Sequence, residues 1–209
     1  MNPSSTIRVL VVDDHPVVRR GLVMMLEEVP GILVVGQAGN GREALALFSQ
    51  QQPDVTLMDL RMPEMDGVTA ITAICTEFPA ARIIVLTTYD GDEDIYRALR
   101  AGAKGYLLKD AEPDVLLNAI HVVHSGQQHI PSEVAAKLVQ RMNTPELSDR
   151  EQEVVRQMAL GLSNQDIGAA LNITESTVKF HINRILSKLG VSDRTQAVIV
   201  ALKRGLAKL

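Results

Sequence analysis

Acidic side chains follow two short apolar runs in the first half of the chain. Asp13 and Asp14 come directly after the run Ile7–Val12, and Asp59 comes directly after the run Val55–Met58. In an open α/β sheet the carboxyl ends of the parallel strands meet at one edge, where ligands bind. We therefore expect these three carboxylates to lie close together at such an edge.

Two more polar residues close the next apolar runs of the chain, Thr87 after Ile83–Leu86 and Lys109 after Gly105–Leu108. Clustered carboxylates repel one another unless a cation joins them, and Mg²⁺ prefers oxygen ligands of this kind. A metal ion, an ammonium group and a hydroxyl group could together neutralise a phosphoryl group on Asp59, whose carboxylate is a competent nucleophile. Each residue alone could instead start a loop or cap a helix.

The scaffold that would position these residues is a repeat of strand-then-helix units. Helical segments follow each apolar run, and their beginnings are marked by Pro16, by the capping pair Asn40 and Glu43, and by Pro113. The second strand is predicted at Ile32–Val35. Five such units predict an α/β fold, a doubly wound five-stranded parallel sheet of the flavodoxin-like type.

After Gly126 the strand pattern disappears, and the remainder of the chain is predicted to be helical. Pro131–Met142 has the pattern of a linker helix, and Asn143–Glu146 that of a flexible joint. Beyond it, two short helices joined by the tight turn Asn172-Ile173 predict a helix-turn-helix. We predict a first domain over residues 1–127, a linker over 128–146, and a small all-α domain over 147–209.

Composition restricts the class of protein. The chain has 209 residues, of which 46% are hydrophobic, and its formal net charge is −4. It has no apolar run near the roughly 18 residues of a membrane span and no secretory signal, and we expect its single cysteine, Cys75, to be a buried thiol. We therefore expect a cytoplasmic protein without a membrane partner.

Charge is unevenly distributed along the chain. Residues 1–128 contain 10 Lys and Arg against 17 Asp and Glu, whereas residues 129–209 contain 11 against 8. The acidic half suits a cation and the basic half suits a polyanion, so the two halves are expected to have different partners.

The third helix of the C-terminal region has one polar and one apolar face. Lys179, Asn183 and Lys188 lie on or near the polar face, and the opposite stripe is apolar: Val178, Ile182, Ile185, Leu186 and Leu189. Such a face can read DNA bases, and the hydroxyl groups at the start of the helix can contact phosphate: Thr174, Ser176 and Thr177. From composition alone, a solvated helix face explains the same pattern.

Two stretches resemble a known family. Asp13-Asp14-His15, the pattern Asp59…Met62-Pro63…Asp66-Gly67, and the residues Thr87, Tyr106 and Lys109 are similar to the receiver domain of two-component response regulators. Residues 148–209 are similar to the LuxR-type helix-turn-helix, so the whole chain resembles the NarL/FixJ subfamily. One residue departs from the family, because Asp110 stands where many receivers have a proline with a cis peptide bond.

The resemblance implies a role for each matching residue of the receiver. Asp59 would be the phosphoacceptor, Lys109 and Thr87 would bind the phosphoryl group, and Tyr106 would rotate with Thr87. Mg²⁺ would bind directly to Asp59, to Asp14 and to the backbone carbonyl of Arg61. It would bind Asp13 through a water molecule. We expect His15 to begin the following helix rather than to bind a ligand.

For the C-terminal domain, the resemblance implies binding of promoter DNA by a homodimer, under the control of a sensor histidine kinase. Its base-reading positions fall on Lys179, Phe180 and Asn183, and Arg184 and Lys188 are further expected DNA contacts. The apolar face of the last helix suits either the domain's own core or a dimer contact, and the resemblance favours the dimer contact: Ala197, Val198, Val200 and Ala201.

Two other functions fit parts of the pattern. An aspartyl-phosphate phosphatase also uses Mg²⁺ and a nucleophilic aspartate, but it has a second acid two residues later, where this chain has Arg61. A regulator controlled by oligomerisation alone would not need the acidic cluster. We therefore predict a DNA-binding response regulator that is not an enzyme.

Overall fold

The computed structural model describes residues 6–88, 91–142 and 145–207. These residues form two compact units, the first ending at Val139 and the second beginning at Gln140. Each unit has its own apolar core.

The first unit is a five-stranded parallel sheet with the strand order β2-β1-β3-β4-β5, which confirms the predicted fold class. Helices alternate with the strands along the chain, and the bounds of the ten elements are β1 Ile7–Val12, α1 Pro16–Glu27, β2 Ile32–Ala38, α2 Gly41–Gln51, β3 Val55–Met58, α3 Gly67–Glu77, β4 Ile83–Thr87, α4 Asp92–Ala101, β5 Gly105–Leu108 and α5 Pro113–His124. Strand β2 extends beyond the predicted Val35 because parallel pairing with β1 continues to Val12 and Ala38.

Two apolar layers cover the sheet, one on each face. Successive strand residues alternate between them, so that Leu10 packs in the layer with α2, α3 and α4, whereas Val9 packs in the layer with α1 and α5. Because both faces are covered, the central strands are mostly apolar, with Thr56 of β3 as a buried polar exception.

The segment after α5 continues along the edge of the sheet. His129 forms an isolated parallel bridge with Gly105, and its carbonyl accepts a hydrogen bond from Tyr106 N at 3.1 Å. Helix α6 (Ser132–Met142) follows, and Val134 and Leu138 pack against the same core layer as Tyr106. The beginning of the predicted linker is therefore part of the first unit. Of the predicted joint, Asn143 and Thr144 lie outside the described residues.

The second unit is helical, with α7 Asp149–Ala159, α8 Asn164–Leu171, α9 Glu175–Leu189 and α10 Arg194–Lys203. Each helix begins with a side chain that accepts a hydrogen bond from a backbone amide three residues later, as short polar N-caps do: Ser148, Ser163, Thr174 and Asp193. Between α8 and α9, Asn172 has the left-handed conformation and Gly168 lies against the turn, where a Cβ atom would be 2.8 Å from Ile173 O.

The structure corrects our expectation for the last helix. Ala197 and Ala201 are fully buried in the core of the second unit, and Val198 and Val200 pack partly against that core. This face therefore completes the domain's own core, because α10 contacts both α7 and α9. The exposed apolar residue of α10 is instead Ile199.

The loop after β3 approaches α3 closely at Gly67. Its amide donates to Leu60 O at 2.8 Å, and a Cβ atom at this position would lie 2.1 Å from Asp59 O and 2.8 Å from Leu60 Cα. Both obstacles are backbone atoms, so the loop that carries Asp59 must move if residue 67 has a side chain.

We predict that Gly67→Ala destabilises the first unit by about 1–3 kcal/mol, the usual cost of inserting an atom into a filled site. Gly21→Ala is the matched control, because Gly21 lies on the exposed side of α1 and has no atom within 4 Å of an added Cβ. There the substitution is expected to stabilise the helix by about 0.5–1 kcal/mol. Urea denaturation of both variants measures the difference, and equal free energies of unfolding would contradict this account of the loop.

Candidate functional site

The backbone of the sheet places Asp13 and Asp59 side by side. Val12 and Met58 are direct partners in the parallel pairing of β1 with β3, and each is followed by its aspartate. The pairing continues one step further, since Asp59 N donates to Val12 O at 2.9 Å. Both carboxylates are almost fully buried.

Lys109 lies between the two buried carboxylates. Its Nζ atom is 2.6 Å from Asp13 Oδ2 and 2.7 Å from Asp59 Oδ2. The backbone holds it there, because Lys109 N donates to Thr87 O at 2.9 Å and so extends the pairing of β5 with β4. The other oxygen of Asp59, Oδ1, accepts from Leu60 N at 2.7 Å.

The pKa values of Asp59 and Lys109 are shifted in directions that follow from this geometry. Burial raises the pKa of Asp59 above its usual value, and the neighbouring charge of Asp13 adds to this, although Lys109 and the amide of Leu60 act in the opposite direction. Burial alone would lower the pKa of Lys109, but its hydrogen bonds to Asp13 and Asp59 outweigh that and raise the pKa. The ammonium group therefore stays charged, and it is the partner that compensates the buried carboxylates.

Asp14 and His15 complete the acidic side of the site. One oxygen or nitrogen atom from each of Asp13, Asp14, His15 and Asp59 lies within 4.8 Å of the others. Asp14 Oδ1 is buried 2.6 Å from His15 Nδ1, and the two form an ion pair when the imidazole is protonated. Three carboxylates that converge in this way fit a hard divalent cation such as Mg²⁺, which prefers oxygen ligands.

A cavity of about 220 Å³ opens above Asp59. Its lining includes His15, Arg61, Thr88 and Lys109. The guanidinium of Arg61 forms an ion pair with Asp94 of α4 at 3.2 Å. The carboxylate of Asp59 thus faces a space large enough for a phosphoryl group, with a cationic side chain beside it.

Thr87 and Tyr106 lie on one face of the sheet. Val85 pairs with Tyr106 and Thr87 pairs with Leu108, so Thr87 is one step from Tyr106 along the same face. Both side chains are fully buried. No cis peptide bond occurs among the described residues, so the bond between Lys109 and Asp110 is trans.

Two features of this site were missed by reasoning from sequence. His15 was expected only to begin α1, and it does occupy the N-cap position, but its side chain makes no capping hydrogen bond and its Nδ1 lies 2.6 Å from Asp14 Oδ1. The ion pair between Arg61 and Asp94 joins residues that are 33 positions apart. The adjacent Asp-Asp-His triplet is a local signal for the first, whereas no local signal exists for the second.

In the second unit, the start of α9 presents the expected polar surface. Thr174 caps the helix and its hydroxyl lies 2.8 Å from that of Ser176 and 2.9 Å from that of Thr177. Lys179 and Asn183 are exposed, and Lys179 Nζ is 2.8 Å from Glu175 Oε1. Exposed ion pairs of this kind contribute about 0–1 kcal/mol, so the lysine can leave Glu175 for another anion.

Phe180 and Arg184 form a second part of this surface. Phe180 is 55% exposed, unusually for an aromatic side chain, and the guanidinium of Arg184 lies 5.6 Å from its ring centroid. Arg184 Nε also lies 3.4 Å from Glu151 Oε1. Its charge is therefore oriented by two neighbours while the side chain remains mostly exposed.

Lys188 is placed differently from our expectation. Its Nζ lies 2.7 Å from Glu151 Oε2 and donates to Glu146 O at 2.9 Å. Glu151 is almost fully buried, and although burial by itself raises its pKa, hydrogen bonds from Lys188 and Ser148 outweigh this and lower the pKa. Lys188 thus stabilises a buried carboxylate inside the domain, and we no longer expect it to contact DNA phosphate.

Comparison with known proteins agrees with this architecture. Residues 9–121 match the family described as response regulator receiver domain, and residues 145–201 match the bacterial regulatory proteins of the luxR family. The transcriptional regulatory protein LiaR of Bacillus subtilis is 43% identical over 203 residues, which cover 93% of this chain and 96% of that protein.

Two solved structures of RcsB are also similar to this chain. RcsB from Salmonella enterica serovar Typhimurium, bound to promoter P1flhDC in the presence of the phosphomimetic BeF3⁻, has a TM-score of 0.77 at 28% identity and covers 96% of this chain and 100% of that one. A structure of two RcsB dimers bound to two parallel DNAs has a TM-score of 0.75 at 28% identity, with 96% and 99% covered.

Among the described residues, none of the helices combines the length and hydrophobicity that a membrane span requires. Both halves of the chain match a family, and together the matches extend over most of its length. The chain belongs to the response regulators of two-component systems, in the group that joins a receiver domain to a LuxR-type helix-turn-helix and acts as a DNA-binding transcriptional regulator.

Proposed function

We propose that Asp59 accepts a phosphoryl group from a sensor histidine kinase, and that this modification controls promoter binding by the second unit. The observation that carries the proposal is the burial of Asp59 beside Asp13, with Lys109 bridging the two carboxylates at 2.6 Å and 2.7 Å. A carboxylate at the floor of a cavity, next to a fixed ammonium group, can attack phosphorus and has the product's charge compensated in advance.

The phosphoryl group passes from a phosphohistidine of the kinase to Asp59. A carboxylate oxygen of Asp59 forms a bond to phosphorus while the bond between phosphorus and the phosphohistidine nitrogen of the kinase breaks, and the imidazole leaves with the electron pair of that bond. Phosphoryl transfer requires mainly positioning and charge neutralisation. Lys109 provides a positive charge for the phosphoryl oxygens, and the backbone bond from its amide to Thr87 O at 2.9 Å keeps it in place.

Asp13, Asp14, Asp59 and the backbone carbonyl of Arg61 are the groups that would hold Mg²⁺. The ion would neutralise phosphoryl oxygens during transfer. The donor set supports this role because carboxylate oxygens of Asp13, Asp14 and Asp59 lie within 4.8 Å of one another, and Mg²⁺ prefers oxygen ligands.

Thr87 and Tyr106 are proposed to carry the signal away from Asp59. Thr87 is the last residue of β4, and Tyr106 lies one step back on the neighbouring strand and on the same face of the sheet. Tyr106 also touches the segment after α5 through its backbone, which donates to His129 O. A change in the position of Thr87 can therefore reach the linker through packed neighbours.

The surface at the start of α9 is proposed to bind promoter DNA as a homodimer. Exposed hydroxyl groups suit phosphate contacts, and Lys179, Phe180 and Asn183 point from the same helix toward solvent. The RcsB complexes, which have the same domain pair, support both DNA binding and the dimer. Promoter DNA as the target also favours action in the cytoplasm.

A phosphatase of the aspartyl-phosphate type is the rival function. Such an enzyme needs an acid two residues after the nucleophile to protonate a leaving group. Here that residue is Arg61, and its guanidinium is paired with Asp94 at 3.2 Å. We therefore propose a regulator whose phosphorylated aspartate is a signal rather than a turnover intermediate.

We predict that Asp59→Asn abolishes Mg²⁺-dependent labelling by acetyl phosphate, because an amide is not a nucleophile toward phosphorus. Asp114→Asn is the control, since Asp114 is an exposed acid in the first turn of α5. Intact protein mass and hydroxylamine lability measure the label. Full hydroxylamine-labile labelling of Asp59→Asn would rule out Asp59 as the acceptor.

Thr87→Ala is expected to accept phosphate at a similar level but to lose most of the phosphorylation-dependent gain in DNA affinity. The hydroxyl group contacts the phosphoryl group after transfer and is not needed for nucleophilic attack. DNA titrations with and without acetyl phosphate give the gain for wild type and variant. An unchanged gain would place the switch outside Thr87 and Tyr106.

Two lysines of α9 are expected to behave differently when they are replaced by alanine. Lys179→Ala should weaken binding to the specific promoter by about 1–3 kcal/mol and change binding to a scrambled duplex far less, as loss of a base contact does. Lys188→Ala should instead destabilise the second unit by about 1–3 kcal/mol, because Glu151 loses a hydrogen-bond donor while buried.

Thermal unfolding and DNA titrations at several salt concentrations distinguish these effects. Lys188→Ala should leave the salt dependence of binding unchanged at temperatures where the domain is folded, because no counterion release is lost. A salt slope lower by about one, with unchanged stability, would restore Lys188 as a phosphate contact. Equal weakening of both duplexes by Lys179→Ala would contradict its assignment as a base-reading residue.

A further inference from the structure

We propose that Phe180 selects DNA sites that carry a thymine, by packing its ring against the 5-methyl group of that base in the major groove. The inference rests on the proposed binding of promoter DNA by α9. It adds the chemical identity of one base, which DNA binding by itself leaves open.

Phe180 lies on the side of α9 that faces away from the core. An α-helix turns about 100° per residue, so Phe180 lies about 200° around the helix from the buried Val178. Ile185 and Leu189 are buried on the same side as Val178. Phe180 is therefore near the middle of the opposite face, where it is 55% exposed, and its ring is not needed to fill the core of the second unit.

Polar and cationic side chains surround Phe180 on this face. Lys179 and Asn183 are exposed beside it, and the exposed Ser176 lies one helical turn earlier. Arg184, one turn later, is exposed as well. This set favours DNA over a protein partner, because the centre of a protein interface is usually depleted of charge, whereas a DNA-binding surface is strongly positive.

Two neighbours hold the aromatic ring in one orientation. The ring of His181 packs edge-to-face against that of Phe180, with an interplanar angle of 68° and centroids 5.7 Å apart. The guanidinium of Arg184 lies over the Phe180 ring at 5.6 Å from its centroid, a cation–π contact. A side chain that is already ordered loses little conformational entropy when it binds. Phe180 is therefore a preformed apolar contact within a polar surface.

The chemistry of the base edges determines which base suits such a contact. A recognition helix lies in the major groove, where thymine presents a methyl group and the other bases present only hydrogen-bonding groups. A phenyl ring cannot pair with those polar groups, and covering them without a partner is unfavourable. Contact with the thymine methyl instead removes two apolar surfaces from water. The ring of Phe180 therefore favours thymine over the other three bases.

The probe for the test is a pool of duplexes with randomised sequence, from which the full chain, treated with acetyl phosphate and Mg²⁺, enriches its own sites. In an enriched duplex, each thymine is replaced in turn by deoxyuridine, which lacks only the 5-methyl group. Fluorescence anisotropy measures binding, and titrations at low salt keep the weaker complexes within range.

Three variants are compared with wild type on these duplexes. Phe180→Ala removes the ring, and Phe180→Leu retains an apolar side chain at the same position. Leu160→Ala is the matched control, because Leu160 is another exposed apolar residue of the second unit, at the C-terminal end of α7. Circular dichroism confirms that each variant is folded.

We expect deoxyuridine at one thymine of the half-site to weaken binding by wild type about fourfold, which corresponds to the loss of one buried methyl group. Phe180→Ala should bind the enriched duplex more weakly and should lose this sensitivity, so that its affinities for the thymine and uracil duplexes agree within about 1.5-fold. Phe180→Leu should retain part of the sensitivity, and Leu160→Ala should bind as wild type does.

Three results would overturn the inference and leave the proposed DNA binding intact. Wild type could bind the thymine and uracil duplexes equally at every position. The effect of uracil could persist in Phe180→Ala, which would assign the methyl contact to another residue. Phe180→Ala could bind the enriched duplex as tightly as wild type, which would leave the ring as a contact for a protein partner.

A different result would distinguish failure of the proposed function. If wild type enriched no duplex from the pool, with or without acetyl phosphate, the proposed DNA binding would be wrong and this inference would fail with it.

Discussion

The ammonium group of Lys109 is the charge on which the receiver site depends. It lies 2.6 Å from Asp13 and 2.7 Å from Asp59, two carboxylates that the sheet brings together and buries. Without a cation, burial and mutual repulsion would force one of them to take up a proton. The position of Lys109 is set by the backbone pairing of β4 with β5, so the charge balance of the site and the register of the sheet depend on one another.

The same strands connect the site with the rest of the first unit. Thr87 is the last residue of β4, and the partner strand β5 carries Tyr106. On its other side, β5 forms an isolated bridge with His129. Val134 and Leu138 of α6 share a core layer with Tyr106. A packed core transmits a displacement because it has few voids that could absorb it. Residues of the predicted linker up to Val139 therefore belong to the first unit.

In the second unit, one buried carboxylate organises the recognition helix. Glu151 caps α7 together with Ser148 and is bound by Lys188 from α9, while Arg184 lies 3.4 Å from its other oxygen. Removing a partner from a buried charge is costly, so this network holds α9 in a defined orientation against α7. Basic residues of α9 thus divide into those that maintain the domain and those that remain available at its surface, such as Lys179.

The sequence by itself determined the fold class, the second domain and the residues of the receiver edge. Asp13, Asp59, Thr87 and Lys109 were predictable because apolar runs of strand length end at these residues, and parallel strands bring their carboxyl ends to one edge. The helix beginnings at Asn40, Ser148 and Thr174 were predictable as well, since capping depends on residues only three positions apart. These predictions use residues close together in the chain or the general geometry of parallel sheets, and the structure agrees with them.

Only the tertiary structure decided what depends on distant neighbours. Lys188 has the spacing of a DNA contact, but Glu151, 37 residues earlier, binds its ammonium group. Ala197 and Ala201 form an apolar stripe that suits either a core or a dimer contact, and its packing against α7 and α9 shows that it belongs to the domain's own core. His129 pairs with β5 where no strand pattern exists, and His15 lies against Asp14 although its position indicated only a helix beginning. In each case a side chain or strand edge has several possible partners. Which partner it contacts depends on how elements that are far apart in the chain pack together.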